Sequence, residues 1–318
     1  MSRYKVDPME FSGLRTVSLA ARGGKVRVED FAKPLPPNAA TVRELVESLP
    51  RILAADSLRG VIAALELARD RRKPILWGLG GHVIKTGLAP VLINLLQRGY
   101  ATGFVLNGAA AIHDFEIALA GCTSEDVEAA LPDGSFGSAE ETGSEMNRAI
   151  SAAAGIGMGE ALGCALQRLA NPSFAAKSLL HEAYRLGAPV TVHVAIGTDT
   201  PHMHPACDGA AVGRATHHDF RLLCSLVREL NDGGVYLNVG SAVVLPEVFL
   251  KAVSAVRNLG HPLHNFTTVN FDFLRHYRPQ ANVVERPHAH SGGRGFSITG
   301  HHEIMIPLLA AALRESAA

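Results

Sequence analysis

A chain of 318 residues is long enough for one large α/β domain or two modest ones. Its apolar fraction of 47% and charged fraction of 19% allow a substantial core and exclude global disorder. Thirty Lys and Arg balance thirty Asp and Glu, and aromatics are only 6%, so there is neither the basic footprint nor the stacking platform of a nucleic-acid binder, and no charge attraction to an anionic membrane.

The four cysteines, Cys122, Cys164, Cys207 and Cys224, include no C-x-x-C pair, which argues against a zinc knuckle or redox motif. The first residues, MSRYKVDPMEF, lack the apolar run of a secretory signal. No segment approaches the ~20 apolar residues of a membrane span. A cytoplasmic protein with reduced thiols is expected.

Residues 1–40, with the Pro-rich KPLPPNAA, read as an irregular arm. Thr41 and Glu44 have the spacing of a capping box, opening a helix with Leu45, Val46 and Leu49 as its stripe. A second helix is expected over Leu58–Arg71, with Val61, Leu65 and Leu67 as core candidates. From Pro74 the pattern alternates. PILWGLGG and ATGFVLNGA read as strands, and GLAPVLINLLQRG and AAIHDFEIALAG as helices stopped by Gly99 and Gly121. Small-residue helices follow over 122–170. Strands then recur at PVTVHVAIGT, GGVYLNVGSA, LHNFTTVNFD and GFSIT, with helices between and after them. This order predicts an α/β, doubly wound, mainly parallel sheet with helices on both faces. The expected organisation is an arm with helices over 1–73 and a nucleotide-binding α/β domain over 74–318.

Five segments carry chemistry. Gly80 and Gly81 lie in a strand-to-helix turn where a backbone can approach a phosphate, although the spacing is not G-x-G-x-x-G; a tight turn without ligand is the plain alternative. Asn107, Gly108 and Ala109 open the next helix, which carries His113 and Asp114 toward the crevice at the strands' carboxyl ends; Asp114 could equally be an ordinary first-turn acid. His202 and His204, two apart in PHMHP, could share a divalent metal with Asp208, or belong to a merely polar loop. Glu247 follows the Gly240-Ser241 turn and could hold an amine, or simply complement a helix dipole. Gly300, His301 and His302 end the last strand, and at most one of the two adjacent histidines should face a ligand. Thirteen of the 15 histidines lie from His181 onward, so the groups that titrate near neutrality concentrate in the second half.

The order of blocks resembles the deoxyhypusine synthase-like NAD-binding fold. VLNGAAAIHDFEIALAG is similar to that family's T-T-A-G-G-x-E-E-D-x-I-K-C-L block, and Asp208-Gly209 with Gly213 to D-G-S-x-G. GSAVVLPEVFLKAVSAVRNLG is similar to G-G-G-V-V-K-H-H, TTVNFD to N-T-A-Q-E-F-D, and SITGHHEIMIPLL to V-Y-A-D-A-S-L-V-F-P-L-L. The match runs over roughly residues 74–313. It implies a Rossmann-type fold, NAD across the carboxyl ends of the strands, and a homotetramer with sites between paired subunits. It implies cofactor contacts at Gly108, Ala109, Asp114, Thr268, Asp272 and Gly300, and places Asp208 and His301 at functional positions. VIKTGLAP…LNGAAAIHDFEIALAG also resembles the nucleotide domain of archaeal-type ornithine cyclodeaminases, with their H-T-G-x-x-P…G-N-A-x-A-x-H-D-x-E pattern, through Thr86, Gly87, Pro90, Asn107, His113, Asp114 and Glu116.

The departures decide the chemistry. The synthase family forms its covalent imine on a lysine in S-W-G-K; here the segment is A-N-V-V-E-R-P, and no lysine follows Lys251. Arginine stays protonated and cannot replace it. The expectation is an NAD-dependent oxidoreductase, lyase or transferase on a small polar amine or amino-acid-like metabolite. His301 is the first acid/base candidate and His113 the second, with Glu247 and Asp208 holding a cationic group. Two alternatives stay open: a metal-dependent enzyme ligated by His202 and His204, and a non-catalytic NAD-binding protein.

Overall fold

The computed structural model describes residues 3–38 and 41–314. Six strands form one sheet: β1 (Ile75–Leu79), β2 (Gly103–Asn107), β3 (Val190–His193), β4 (Val235–Val239), β5 (Thr267–Asp272) and β6 (Arg294–Thr299). All pairings are parallel and the order is β3-β2-β1-β4-β5-β6. The chain winds outward from β1 in one direction, then returns to β4 and winds in the other. The switch point therefore lies between β1 and β4, where open α/β sheets place their ligands.

The helices are α1 (Val42–Ser48), α2 (Leu53–Asp70), α3 (Gly81–Lys85), α4 (Ala89–Gln97), α5 (Gly108–Ala120), α6 (Val127–Ala130), α7 (Glu140–Ala152), α8 (Met158–Leu169), α9 (Leu179–Arg185), α10 (Gly209–Arg228), α11 (Val244–Asn258), α12 (Tyr277–Pro279) and α13 (His302–Ala312). Side chains of a strand alternate between faces, and here both faces are covered. Trp77, Leu79, Phe104, Leu106, Leu237 and Phe271 join one core with α2, α4, α5, α8 and α9. Leu76, Val105 and Tyr236 face the other way and pack with α10 and α11, where Tyr236 stacks on Phe249 at 3.8 Å. The doubly wound fold expected from the pattern is the fold observed.

Thr41 and Glu44 form the expected capping box. Helix α2 begins earlier than expected, and its buried stripe is Leu58, Val61, Ile62, Leu65 and Ala68. Leu67 is exposed instead, because it falls off that 3.6-residue stripe. The strand expected over 189–198 stops at His193. Its last pairing is with Asn107, and β2 ends there as α5 begins. Beyond it the Val194 N–H turns to Thr216 Oγ1 at 3.3 Å. Residues 3–38 form an arm whose only helical turn is Val28–Asp30, with Tyr4, Met9, Phe11 and Leu14 exposed. Among the described residues no helix is long and apolar enough to cross a membrane.

Candidate functional site

At the switch point the turns after β1 and β4 touch. The Gly80 N–H donates to Val239 O at 2.9 Å. A methyl group built on Gly80 would lie 2.1 Å from Gly240 O, and one on Gly81 would lie 2.8 Å from Ala109 Cβ and 3.2 Å from His113 Cδ2. These glycines are required by the contact of β1 with β4 and of α3 with α5. That packing brings the start of α3, the start of α5 and His113 side by side at the carboxyl end of the sheet.

His113 stands in a cleft of about 210 Å³, lined also by Ala109, Glu116, Glu125, Phe136, Thr142 and Asp199. The cleft opens onto a wider groove bordered by Cys122, Thr123 and Glu141. His113 Nδ1 lies 2.7 Å from Thr123 Oγ1, which donates to Glu116 Oε2 at 2.5 Å. Glu116 Oε1 accepts from Thr142 Oγ1 at 3.2 Å. Burial lowers the imidazole's pKa, with Lys85 assisting and Glu116 opposing. Asp199 reaches in from the loop after β3 and lies over Gly108, where an added methyl would meet its Oδ2 at 2.1 Å. Burial raises the Asp199 pKa, against the pull of His202 and Thr198. Glu116, Glu125, Glu141 and Asp199 give the cleft and its groove an anionic wall.

A second polar group lines the carboxyl ends of β4, β5 and β6. Asn238 and Asn270 are register partners on β4 and β5, and Asn238 Nδ2 donates to Asn270 Oδ1 at 2.8 Å and to Ser241 O at 2.9 Å. Asp272 ends β5, nearly buried, and accepts the Phe273 N–H at 2.9 Å. His302 is fully buried beside Gly240, its Nε2 3.3 Å from Phe271 O and its Nδ1 without a partner. Its pKa is lowered by burial, opposed by the Phe271 carbonyl and Asp272. His82 lies 5.6 Å from it, ring to ring, and Phe273 caps both. A buried polar group is costly unless hydrogen-bonded, and in this group Asn238 Oδ1 and His302 Nδ1 lack a partner.

Several expected site residues are placed elsewhere. Asp114 does not face the crevice. It is fully buried and accepts from Ser178 Oγ at 2.6 Å, Leu179 N at 2.7 Å and Leu180 N at 2.8 Å, so it caps α9. Thr268 lies near the amino end of β5, where its hydroxyl donates to Val283 O at 2.6 Å and meets His288 Nε2 at 2.7 Å. Of the adjacent histidines, His301 is the exposed one, its side chain 66% accessible and stacked on Phe273. Glu247 is already paired, with Lys251 Nζ at 2.7 Å, Asn282 Nδ2 at 3.0 Å and Arg278 at 3.4 Å, and the Lys251 contact lowers its pKa. Asp208 is an exposed N-cap, accepting from the Ala210 and Ala211 N–H groups. Thr86 bonds back to His82 O at 2.9 Å, closing α3, and Asn107 caps α5 through the Ala110 N–H. Gly300 makes room for Met305.

His202 and His204 are each engaged with neighbouring groups. His202 Nδ1 accepts from the Gly197 and Asp199 N–H groups. His204 lies 3.3 Å from Glu140 through Nε2 and accepts the Ala206 N–H at Nδ1. Among the described residues no three His, Cys, Asp or Glu side chains gather as a ligand set.

Thr123 and the Asn238–Asn270 pair have no role in the sequence reading, which favours His301 over the adjacent His302. Asn238 left a signal, as an amide inside the largely apolar strand VYLNV.

No family model and no curated protein matches the chain. Solved structures match its fold. A candidate LOR/SDH protein from Methanococcus maripaludis S2 superposes with a TM-score of 0.52 at 16% identity, covering 87% of this chain and 73% of its own. AgrE, solved as a ternary complex with ornithine and NAD+, gives 0.51 at 17% identity over 83% of this chain and 34% of AgrE. A candidate deoxyhypusine synthase from Entamoeba histolytica gives 0.51 at 10% identity over 89% and 96%. The chain thus spans about a third of the length of AgrE. The resemblance to the deoxyhypusine synthase-like fold read from the sequence holds at the level of fold.

Proposed function

We propose that this chain is an NAD-dependent enzyme acting on a small amine or amino-acid-like metabolite, by a route other than that of deoxyhypusine synthase. The observation that carries the reading is the juxtaposition at the switch point: the Gly80-Gly81 turn borders, through Gly81 and His113, a cleft with an anionic wall. The orphaned Nδ1 of His302 and Oδ1 of Asn238, both buried at the strand ends, fit a crevice built for a polar ligand. The turns at Gly80-Gly81 and Gly240-Ser241, with Asp272 and Gly300, would hold the cofactor. Bound NAD supplies a hydride acceptor. The chain's own part is to hold a cationic substrate through Glu116, Glu125 and Asp199, and to take a proton at His113.

The lysine on which the synthase family depends has no counterpart here, since Lys251 is the last lysine and pairs with Glu247. Isothermal calorimetry with NAD+ tests the reading, on protein first checked for carried-over cofactor. A saturable heat at about one site per chain supports it, and no heat at millimolar NAD+ overturns it. Trp77 is a poor reporter: it is fully buried, and its indole N–H donates to Tyr100 O at 2.9 Å, away from the turn.

A further inference from the structure

The hydroxyl of Thr123 lies between a base and an acid, 2.7 Å from His113 Nδ1 and 2.5 Å from Glu116 Oε2. A hydroxyl has one proton to give, and an ionised carboxylate can only accept. The Thr123 proton therefore points to Glu116, and the Thr123 oxygen is left as an acceptor toward His113. A neutral imidazole that meets an acceptor at Nδ1 carries its proton there and keeps its lone pair on Nε2. His113 Nε2 has no hydrogen-bond partner among the described residues, and the adjoining Cδ2 borders Gly81.

We infer that Thr123 is a positioning residue that fixes His113 as the Nδ1–H tautomer, so that Nε2 is the proton acceptor of the cleft. The inference rests on the cleft being the substrate site. A proton from a substrate ammonium or hydroxyl moves to Nε2, and its electron pair stays on the substrate nitrogen or oxygen. The imidazolium that forms keeps its Nδ1–H on Thr123, whose own proton stays on Glu116, so the carboxylate stabilises the new charge without taking a proton. The charged groups around the ring are Glu116 on its own helix, Lys85 from α3, and Glu125 and Asp199 across the cleft. Burial favours the neutral ring, which is the form a base needs.

The arrangement is read without a substrate. Two-bond 1H–15N spectra of histidine-labelled protein distinguish the tautomers, and the signal lost in His113→Gln assigns the residue. A protonated Nδ1 with a bare Nε2 in the wild-type chain is the expected result; an Nε2–H ring overturns the assignment whatever any variant does. Thr123→Val keeps the shape and removes the hydroxyl, so it should release the ring into a tautomer mixture, and Thr123→Ser should restore Nδ1–H. An unchanged ring in Thr123→Val also overturns it. With an amine that reduces NAD+, Thr123→Val should lower kcat by on the order of tenfold with little change in KM, and Thr123→Ser should recover it. Unchanged kcat alongside an altered tautomer rejects the role as base. Failure of NAD+ to bind rejects the proposed function instead, and leaves the tautomer result as it was found.

Discussion

Gly80 and Gly240 lie against each other so closely that a single methyl on the first would sit 2.1 Å from the carbonyl oxygen of the second. The obstacle is backbone on both sides, held by Gly80 N–H to Val239 O and Gly240 N–H to Phe271 O. No side chain can rotate away to relieve it. Gly80→Ala should therefore part the turns of β1 and β4 and cost about 2–3 kcal/mol in urea unfolding. A neutral substitution would mean that the two turns do not meet. Because the crevice is built from these turns, NAD+ affinity should fall together with stability.

Asp114 offers the opposite test. Its carboxylate takes three donors from Ser178, Leu179 and Leu180 and is entirely inside the protein. Asp114→Ala strands those donors at the start of α9 and should destabilise the fold by about 3 kcal/mol. Cofactor affinity in the remaining folded protein should be unchanged, since no atom of Asp114 reaches the crevice. A selective loss of NAD+ binding at unaltered stability would return Asp114 to the site.

Asp219 predicts a pH dependence. It is buried on α10, and its Oδ2 accepts from Val192 N at 2.7 Å and Gly159 N at 3.0 Å while Oδ1 has no partner. Burial outweighs these donors and raises its pKa from 3.8 to about 7. The folded value is the higher one, so the protonated carboxyl stabilises the fold. That contribution is complete below 3.8 and is lost as pH rises through about 7. Asp219→Asn is neutral throughout. The stability of the wild type relative to this variant should thus fall between those limits, by on the order of 3 kcal/mol. Asp114, raised to about 6, and His193 and His288, lowered to about 4, titrate in both proteins and cancel in the difference. Parallel stability curves from chemical denaturation would show that folding does not raise the Asp219 pKa.

Local rules carried the sequence reading as far as they reach. Gly99 and Gly121 read as helix stops, and each adopts the left-handed backbone, at φ of 76° and 72°. The alternation of apolar runs and glycine turns carried the doubly wound sheet. What failed was the direction of side chains. His113 and Asp114 are neighbours on one helix, about 100° apart around its axis, so the first lines the cleft while the second enters the core. Thr268 and Asp272 share a strand but lie four residues apart, roughly 13 Å, which leaves Thr268 at the wrong end of the sheet. Thr123 and Asp199 reach the cleft from loops whose path no periodicity records. The glycines of the first turn were read as ligand contacts, although contact between backbones already requires them.

The adjacent histidines at the start of α13 separate most sharply. His301 was the leading acid/base candidate, yet its ring lies largely in solvent, parallel to Phe273 with centroids 6.2 Å apart, and 3.8 Å from Glu303. His302 turns inward, where it fills the space beside Gly240 and donates to the end of β5. His301→Ala removes a surface contact and should change stability by less than about 0.5 kcal/mol, as exposed substitutions generally do. His302→Ala leaves a cavity between β4, β5 and α13 and removes one of the two donors to the Phe271 carbonyl, the Gly240 N–H remaining, and should cost about 2–3 kcal/mol. The same variant should weaken NAD+ in calorimetry, because the Gly240 turn loses the ring that supports it. Reversed results, with His301→Ala abolishing cofactor binding and His302→Ala silent, would restore the exposed histidine as the functional one. Equal and small effects from both would remove α13 from the crevice.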